Sequence, residues 1–325
     1  MKYQPLEIPP FFEENKTSPI WQVPYQKLAP KIRELYVKKE TAPKTALLLI
    51  DEQNSFCIPS GELYVNGAEK DSARLCKFIY RNLPYIDTII TTFDFHEEIS
   101  IFSEVFWVDI NGEHPSPGTM ITYDDVFNKT WKVNPSLNID YSYDDLTNYV
   151  EYYTHSLEDS KKFTLTIWPY HCLSSGIGSA LVSSIEEAVF THSIFHNKNS
   201  KKVFKGKNIL SESYSLNPEV SSIYTHREEK DQMFSDLCSQ YNCIIIAGQA
   251  KSHCVAYVIK ELENFMAKNF NNNIYILEDC MSPVIIPGII DFTDIANKYI
   301  EDFKNNDMNI VNSGEGFLEE IISGY

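Results

Sequence analysis

Short apolar runs alternate with amphipathic stretches along most of this 325-residue chain, and that alternation restricts the fold more than any other feature. The runs are Thr45 to Ile50, Thr88 to Phe93, Phe163 to Ile167, Cys243 to Ala247 and Ile274 to Leu277. Between them, Asp71 to Leu83, Ser179 to Phe190, Glu228 to Tyr241 and Val255 to Ala267 carry apolar residues at helical spacing. Strands without a polar face, separated by helices, imply a mostly parallel, Rossmann-like sheet covered on both faces, a three-layer α/β/α architecture. In such sheets the working residues gather beyond the C-terminal ends of the strands.

Three segments look like additions to that core. Residues 1–44 are rich in Pro and aromatics, and Ser103 to Lys162 is rich in Tyr and Asp with weak periodicity. Lys304 to Tyr325 holds a short strand-like Met308 to Val311 and a final helix. The expected organisation is an N-terminal extension over 1–44 and one domain over 45–325, with an insertion at about 103–162. That insertion is too long for an idle loop and is expected to pack over a site or into a subunit contact, so a homo-oligomer is one expectation.

The formal net charge of −17 argues against nucleic acid or an anionic membrane as partner, because both require clustered Lys and Arg. A small molecule is the expected partner, and the Lys201-Lys202 pair reads as solvated surface. No run is long enough for a membrane span, and Met1-Lys2-Tyr3-Gln4-Pro5 lacks the basic-then-apolar pattern of a secretory signal. The expected compartment is the cytoplasm. The seven cysteines are odd in number, form no Cys-x-x-Cys pair and sit mostly in apolar runs, which points to free buried thiols.

Cys254 follows the Cys243 to Ala247 run through Gly248-Gln249-Ala250-Lys251-Ser252-His253, and a helical stretch begins directly after it. A thiol at such a strand-to-helix turn meets unpaired N–H groups and a partial positive charge, which lower a thiol pKa and bind an oxyanion. Asp51 ends the first apolar run, where partial desolvation raises its pKa and suits it to proton transfer; a turn-capping role is as consistent with its position. After the second run, Asp94 and His96 point to one side of an extended segment. His171, in Trp168-Pro169-Tyr170-His171-Cys172, offers a second imidazole. Two His and one Asp with open positions suit Zn, Fe or Mn. Cys172 offers a soft ligand or, in the favoured reading, a buried structural thiol, and His192, His196, His226 and His253 read as surface or packing residues. A Lys near Asp51 and Cys254 would stabilise a thiolate, but Lys201, Lys202, Lys205 and Lys207 are not separable by this argument.

Five separated motifs occur in order: Ile50 to Phe56, Asp94-Phe95-His96, Trp168 to Cys172, Lys205-Gly206, and Gly248 to Val255. Together they resemble the nicotinamidase branch of the isochorismatase-like cysteine hydrolases, in a long bacterial form, over roughly Thr45 to Pro283. The resemblance implies an isochorismatase-like hydrolase fold with insertions and hydrolysis of nicotinamide, in the salvage of NAD. It implies a triad of Cys254, Asp51 and Lys205, an oxyanion hole from the amides of Ala250 and Cys254, and a cis Gln249–Ala250 peptide. It further implies Asp94, His96 and His171 as ligands of a divalent metal, Zn before Fe or Mn, with Ser103 or Glu104 as a candidate further ligand. Phe56 and Trp168 would wall the ring pocket, and Tyr214 would close it. Hydrolysis of another small amide, or a non-catalytic binding role, are the other functions weighed.

Overall fold

The computed structural model describes residues 3–12, 20–35, 43–220, 228–266, 273–314 and 316–323. In chain order the elements are α1 (Tyr25–Arg33), β1 (Thr45–Ile50), α2 (Asn54–Cys57), α3 (Ala68–Arg81) and β2 (Thr88–Asp94). Next come β3 (Trp107–Val108), β4 (Met120–Ile121), α4 (Tyr123–Phe127), β5 (Lys132–Val133), α5 (Tyr143–Asp159) and β6 (Leu165–Thr166). They are followed by α6 (Ser183–His196), β7 (Lys201–Lys205), α7 (Glu228–Gln240), β8 (Cys243–Gly248), α8 (Cys254–Met266) and β9 (Asn273–Leu277). The chain closes with β10 (Ile285–Ile286), β11 (Ile290–Asp291), α9 (Thr293–Asn305), β12 (Asn309–Val311) and α10 (Phe317–Ser323).

Six strands form one sheet in the order β12-β9-β8-β1-β2-β7, every pairing parallel. Every residue of β1 and β8 is buried, as expected for strands covered on both faces. Right-handed crossovers place α3 and α6 on one face and α7, α8 and α9 on the other. Packing agrees: α3 and α1 contact α6, and α7 contacts α8, while Tyr257 of α8 meets Tyr299 of α9 edge-on. The chain runs from β1 outward to β2 and β7, then returns to β8 on the other side of β1. The strand order therefore reverses between β1 and β8, and a crevice opens at their C-terminal ends, the usual ligand position in an open α/β sheet.

Three expectations need correction. The Phe163 to Ile167 run is not a strand of the main sheet; only Leu165–Thr166 is extended, paired antiparallel with Met120–Ile121. Its apolar character comes from burial beneath residues 103–162. Lys201 and Lys202 are exposed, as read, yet they begin β7, the edge strand that pairs with β2. Their surface positions hide a strand whose last residue, Lys205, is buried opposite Asp94. The region over 103–162 contains the 17-residue α5, stabilised at its start by Ser142, whose hydroxyl accepts from the Asp145 N–H at 3.1 Å. Helix α9 also had no counterpart in the sequence reading, whereas β12 and α10 lie where the tail was expected to hold a strand and a helix. All seven cysteines are free and buried. Ala267 and His226 lie outside the described residues.

Candidate active site

Four neighbouring strand ends, those of β8, β1, β2 and β7, deliver the chemistry. Asp51 follows β1 with a positive φ of 47°, and its backbone N–H donates to Thr92 Oγ1 at 3.0 Å. The Thr92 hydroxyl in turn donates to Asp51 Oδ1 at 2.5 Å, fixing the carboxylate. Asp94 ends β2 opposite Lys205 of β7 in the sheet register. The fully buried Lys205 Nζ lies 2.8 Å from Asp51 Oδ2, 2.8 Å from Asp94 Oδ1 and 3.4 Å from Cys254 Sγ, and donates to the Ser213 carbonyl at 3.1 Å. Of the lysines left open in the sequence, Lys205 is the one placed beside both Asp51 and Cys254; Lys207 lies instead over the rings of Phe95 and Phe204.

Cys254 opens α8 after the turn that leaves β8. Gly248 makes that exit at φ +122°, where a Cβ would stand 2.1 Å from the Ile50 carbonyl oxygen. The Gln249–Ala250 peptide is cis, as the resemblance implied. Gln249 is held at both ends of its side chain: Nε2 donates to Asp71 Oδ2 at 3.1 Å, and Oε1 accepts from the Ser282 N–H at 3.2 Å. The N–H groups of Ala250 and Cys254 have no hydrogen-bond partner among the described residues.

The charge states differ from the sequence expectation in one respect. Burial pushes the Cys254 thiol well above its ordinary range; the Lys205 ammonium opposes this but is outweighed, and Asp51 and Asp94 add to the rise. The turn therefore does not hold a resting thiolate. Burial also raises Asp51 despite the ammonium beside it. Lys205 is disfavoured by burial, yet Asp51 and Asp94 hold its charge firmly. Burial works against ionised Asp94 too, but His96 and Lys205 bring it well below the usual carboxylate range.

Asp94, His96 and His171 offer ligand atoms that all lie within 4.8 Å of one another. His96 Nε2 is 3.2 Å and His171 Nε2 3.9 Å from Asp94 Oδ2. Each ring's other nitrogen is engaged: Nδ1 of His96 with the Gly206 carbonyl at 3.1 Å, and Nδ1 of His171 with the Pro169 carbonyl at 2.7 Å. Both Nδ1 atoms therefore donate to carbonyls, which turns both Nε2 atoms toward the carboxylate, the outer-shell pattern of a metal-binding histidine. Burial works against a charged His96, but Asp94 raises it, so an ion bound here would displace the Nε2 proton. The residues present fit a divalent ion. Asp51, Asp94 and Cys254 also cluster within 4.8 Å, but the Lys205 ammonium occupies their centre, so that group is an ion-pair site.

Phe56 on α2 lies 5.5 Å from the His171 ring, while Trp168 and Tyr214 approach His253 at 5.3 and 5.2 Å. Trp168 Nε1 donates to the Tyr214 hydroxyl at 2.8 Å. Phe102 packs edge-on against His96 at 4.7 Å. Ser103 Oγ accepts from the Ser100 N–H at 3.2 Å, and Glu104 lies outside the group formed by Asp94, His96 and His171. His192 and His196 are packing residues, bonded through Nε2 to the Ile86 and Leu83 carbonyls at 2.7 Å each. His253 is buried beside Cys254, where burial lowers it to about 4, so its imidazole is neutral. Cys172 is buried, with its thiol toward the Gly178 carbonyl at 3.9 Å. Glu212 was missed by sequence reasoning. It is 4% exposed, is raised by burial to about 8 and interacts with His96, Asp94 and Lys205. A lone Glu between two serines carries no signal of that neighbourhood.

A yeast nicotinamidase bound to the inhibitor nicotinaldehyde superposes with a TM-score of 0.55 at 20% identity, covering 82% of this chain and 99% of that one. A nicotinamidase/pyrazinamidase of Acinetobacter baumanii gives a TM-score of 0.54 at 14% identity, covering 84% and 98%. This chain has the nicotinamidase fold. No family model matches it, and no curated protein matches it by sequence. Among the described residues no helix is long and apolar enough to cross a membrane.

Proposed function

We propose that this protein hydrolyses nicotinamide to nicotinate and ammonia through a thioester on Cys254. The observation that carries the reading is the position of Lys205 Nζ, which touches Asp51, Asp94 and Cys254 at once and so joins a nucleophile and its base to a His/His/Asp site. The thiol is protonated at rest, so its proton passes to Asp51 as Sγ attacks the carboxamide carbon. The carbonyl oxygen becomes an oxyanion taken by the free N–H groups of Ala250 and Cys254. Collapse breaks the C–N bond, Asp51 returns the proton to nitrogen, and ammonia leaves. Water then gives a proton to Asp51 and attacks the thioester; the C–S bond breaks, and the proton returns to sulfur. Lys205 stays charged throughout, balancing the thiolate as it forms.

Phe56, Trp168 and Tyr214 would hold the ring. Asp94, His96 and His171 would hold a divalent ion, Zn in preference to Fe or Mn, which would supply a Lewis-acid anchor for the ring nitrogen. We further propose that residues 45–325 form the hydrolase domain and that 1–44 extend it.

The test is ammonia release by the metal-loaded protein from nicotinamide, benzamide and a set of small aliphatic amides. Nicotinamide should turn over, and benzamide, which lacks the ring nitrogen, far more slowly. Preference for another amide would keep the cysteine chemistry and overturn the substrate. Absence of ammonia from every amide would leave a binding protein on this fold.

A further inference from the structure

Residues 206–220 contain no helix or strand, yet most of them are buried, so their backbone groups need partners from elsewhere. Two come from α5. Its buried stripe of Leu146, Tyr149, Val150, Tyr153 and Leu157 faces inward at helical spacing. Tyr149 donates its hydroxyl proton to the Leu210 carbonyl at 2.7 Å, and the Tyr153 hydroxyl accepts from the Glu212 N–H at 3.0 Å. The next residues are Ser213, whose carbonyl holds Lys205, and Tyr214, whose hydroxyl holds Trp168. The same part of the chain also supports Trp168 from the other side. Gly118 N–H donates to the Ile167 carbonyl at 2.7 Å, Ile167 N–H to the Thr119 carbonyl at 2.8 Å, and Trp168 N–H to the Phe102 carbonyl at 3.0 Å.

We infer that Tyr153 and Tyr149 are positioning residues: α5 holds the Glu212 to Tyr214 run, and through it the Tyr214–Trp168 wall that selects the acyl group presented to Cys254. The region over 103–162 is then a built-in part of the pocket and not a mobile cover. Trp168 and Tyr214 hang on it, while Phe56 follows β1 on α2 and Cys254, Asp51 and Asp94 hang on the central sheet. Removing a phenol oxygen from α5 should change which acyl groups are accepted more than it changes the nucleophile, since Lys205 keeps Asp51 and Asp94 when the Ser213 carbonyl shifts. For turnover the inference rests on the proposed amide hydrolysis; for pocket shape it does not.

The test uses the full-length, metal-loaded protein as wild type, Tyr153→Phe, Tyr149→Phe and, as a control on the exposed start of the same helix, Tyr143→Phe. Rates of Cys254 alkylation are read by mass spectrometry with two probes, iodoacetamide and 3-(bromoacetyl)pyridine, together with KM and kcat for nicotinamide. Tyr153→Phe and Tyr149→Phe should slow the ring reagent about fivefold to tenfold, the effect of one lost buried hydrogen bond. The iodoacetamide rate should change less, so that the ratio of the two rates shifts, and KM should rise by more than kcat falls. Tyr143→Phe should match wild type in every readout. An unchanged ratio of the two alkylation rates in both α5 variants, or an equal change with both reagents, would overturn the inference. A shifted ratio in a protein that fails to hydrolyse nicotinamide would uphold it and reject the substrate reading alone. If Tyr153→Phe does not fold, the Tyr149→Phe ratio decides.

Discussion

Lys205 sits fully buried between two carboxylates at 2.8 Å, and the thiol is its third neighbour. Replacing it with Met removes the cation shared by Asp51 and Asp94, leaving Asp94 with His96 and Asp51 with no counter-charge in contact. Lys205→Met should lower the unfolding free energy by about 3–5 kcal/mol in denaturant titrations, the cost of breaking a buried ion pair from one side. Turnover should be lost as well. Glu52, next to Asp51, gives a second residue-scale prediction. Burial raises it from 4.5 to about 8, although Ser72 donates to it at 2.6 Å. The folded chain therefore keeps a proton there that the unfolded chain releases near 4.5, so this group makes stability fall as pH rises from about 4.5 to about 8 and level off above. Glu52→Gln should melt higher than wild type at pH 9 and alike at pH 4, by thermal unfolding at both. Equal melting curves at pH 9 would contradict the assignment. Asp51, Asp94 and His96 were readable because each ends or follows an apolar run. Lys205 was not separable from its neighbours, because it shares a strand face with exposed Lys201 and is buried only by its place at the C-terminal end of β7, opposite Asp94 and beside Asp51 and Cys254.

At the scale of elements, β7 and the turn after it align the metal site. Gly206 has φ +76°, its carbonyl engages His96 Nδ1, and a Cβ there would stand 2.5 Å from the His96 ring. Gly206→Ala should therefore displace the imidazole and weaken metal binding by about 10–100-fold, as loss of an outer-shell partner does; metal titration with a competing chelator reads it. Strands β1, β2, β8 and β9 were legible because burial on both faces leaves a continuous apolar run. Helix α5 was not, since its Tyr and Asp content masks a stripe that becomes apolar only when the phenol hydroxyls find partners in residues 206–220. The Phe163 to Ile167 run misled for a related reason. Burial by an insertion produces the same composition as burial in a sheet.

Across the whole molecule, the reversal of strand order between β1 and β8 puts Cys254 and Asp51 beyond the ends of adjacent strands, with Asp94 and Lys205 on the next two. The sheet and the strand-end residues follow from pattern alone, whereas the pocket walls depend on segments that pack only in the finished fold. An ion held by Asp94, His96 and His171 binds the folded state alone. Metal at a hundredfold excess over its Kd should therefore add about 2.7 kcal/mol of stability by mass action. Chelation should lower Tm while leaving far-UV circular dichroism unchanged at 25 °C; a Tm insensitive to chelator and to added Zn would contradict the site. The most direct test of the central claim is acid quenching of metal-loaded protein during nicotinamide turnover, with mass spectrometry of the peptide carrying Cys254. A nicotinoyl adduct on Cys254, absent in Cys254→Ala along with turnover, is the predicted result. Sustained ammonia release by Cys254→Ala would contradict it.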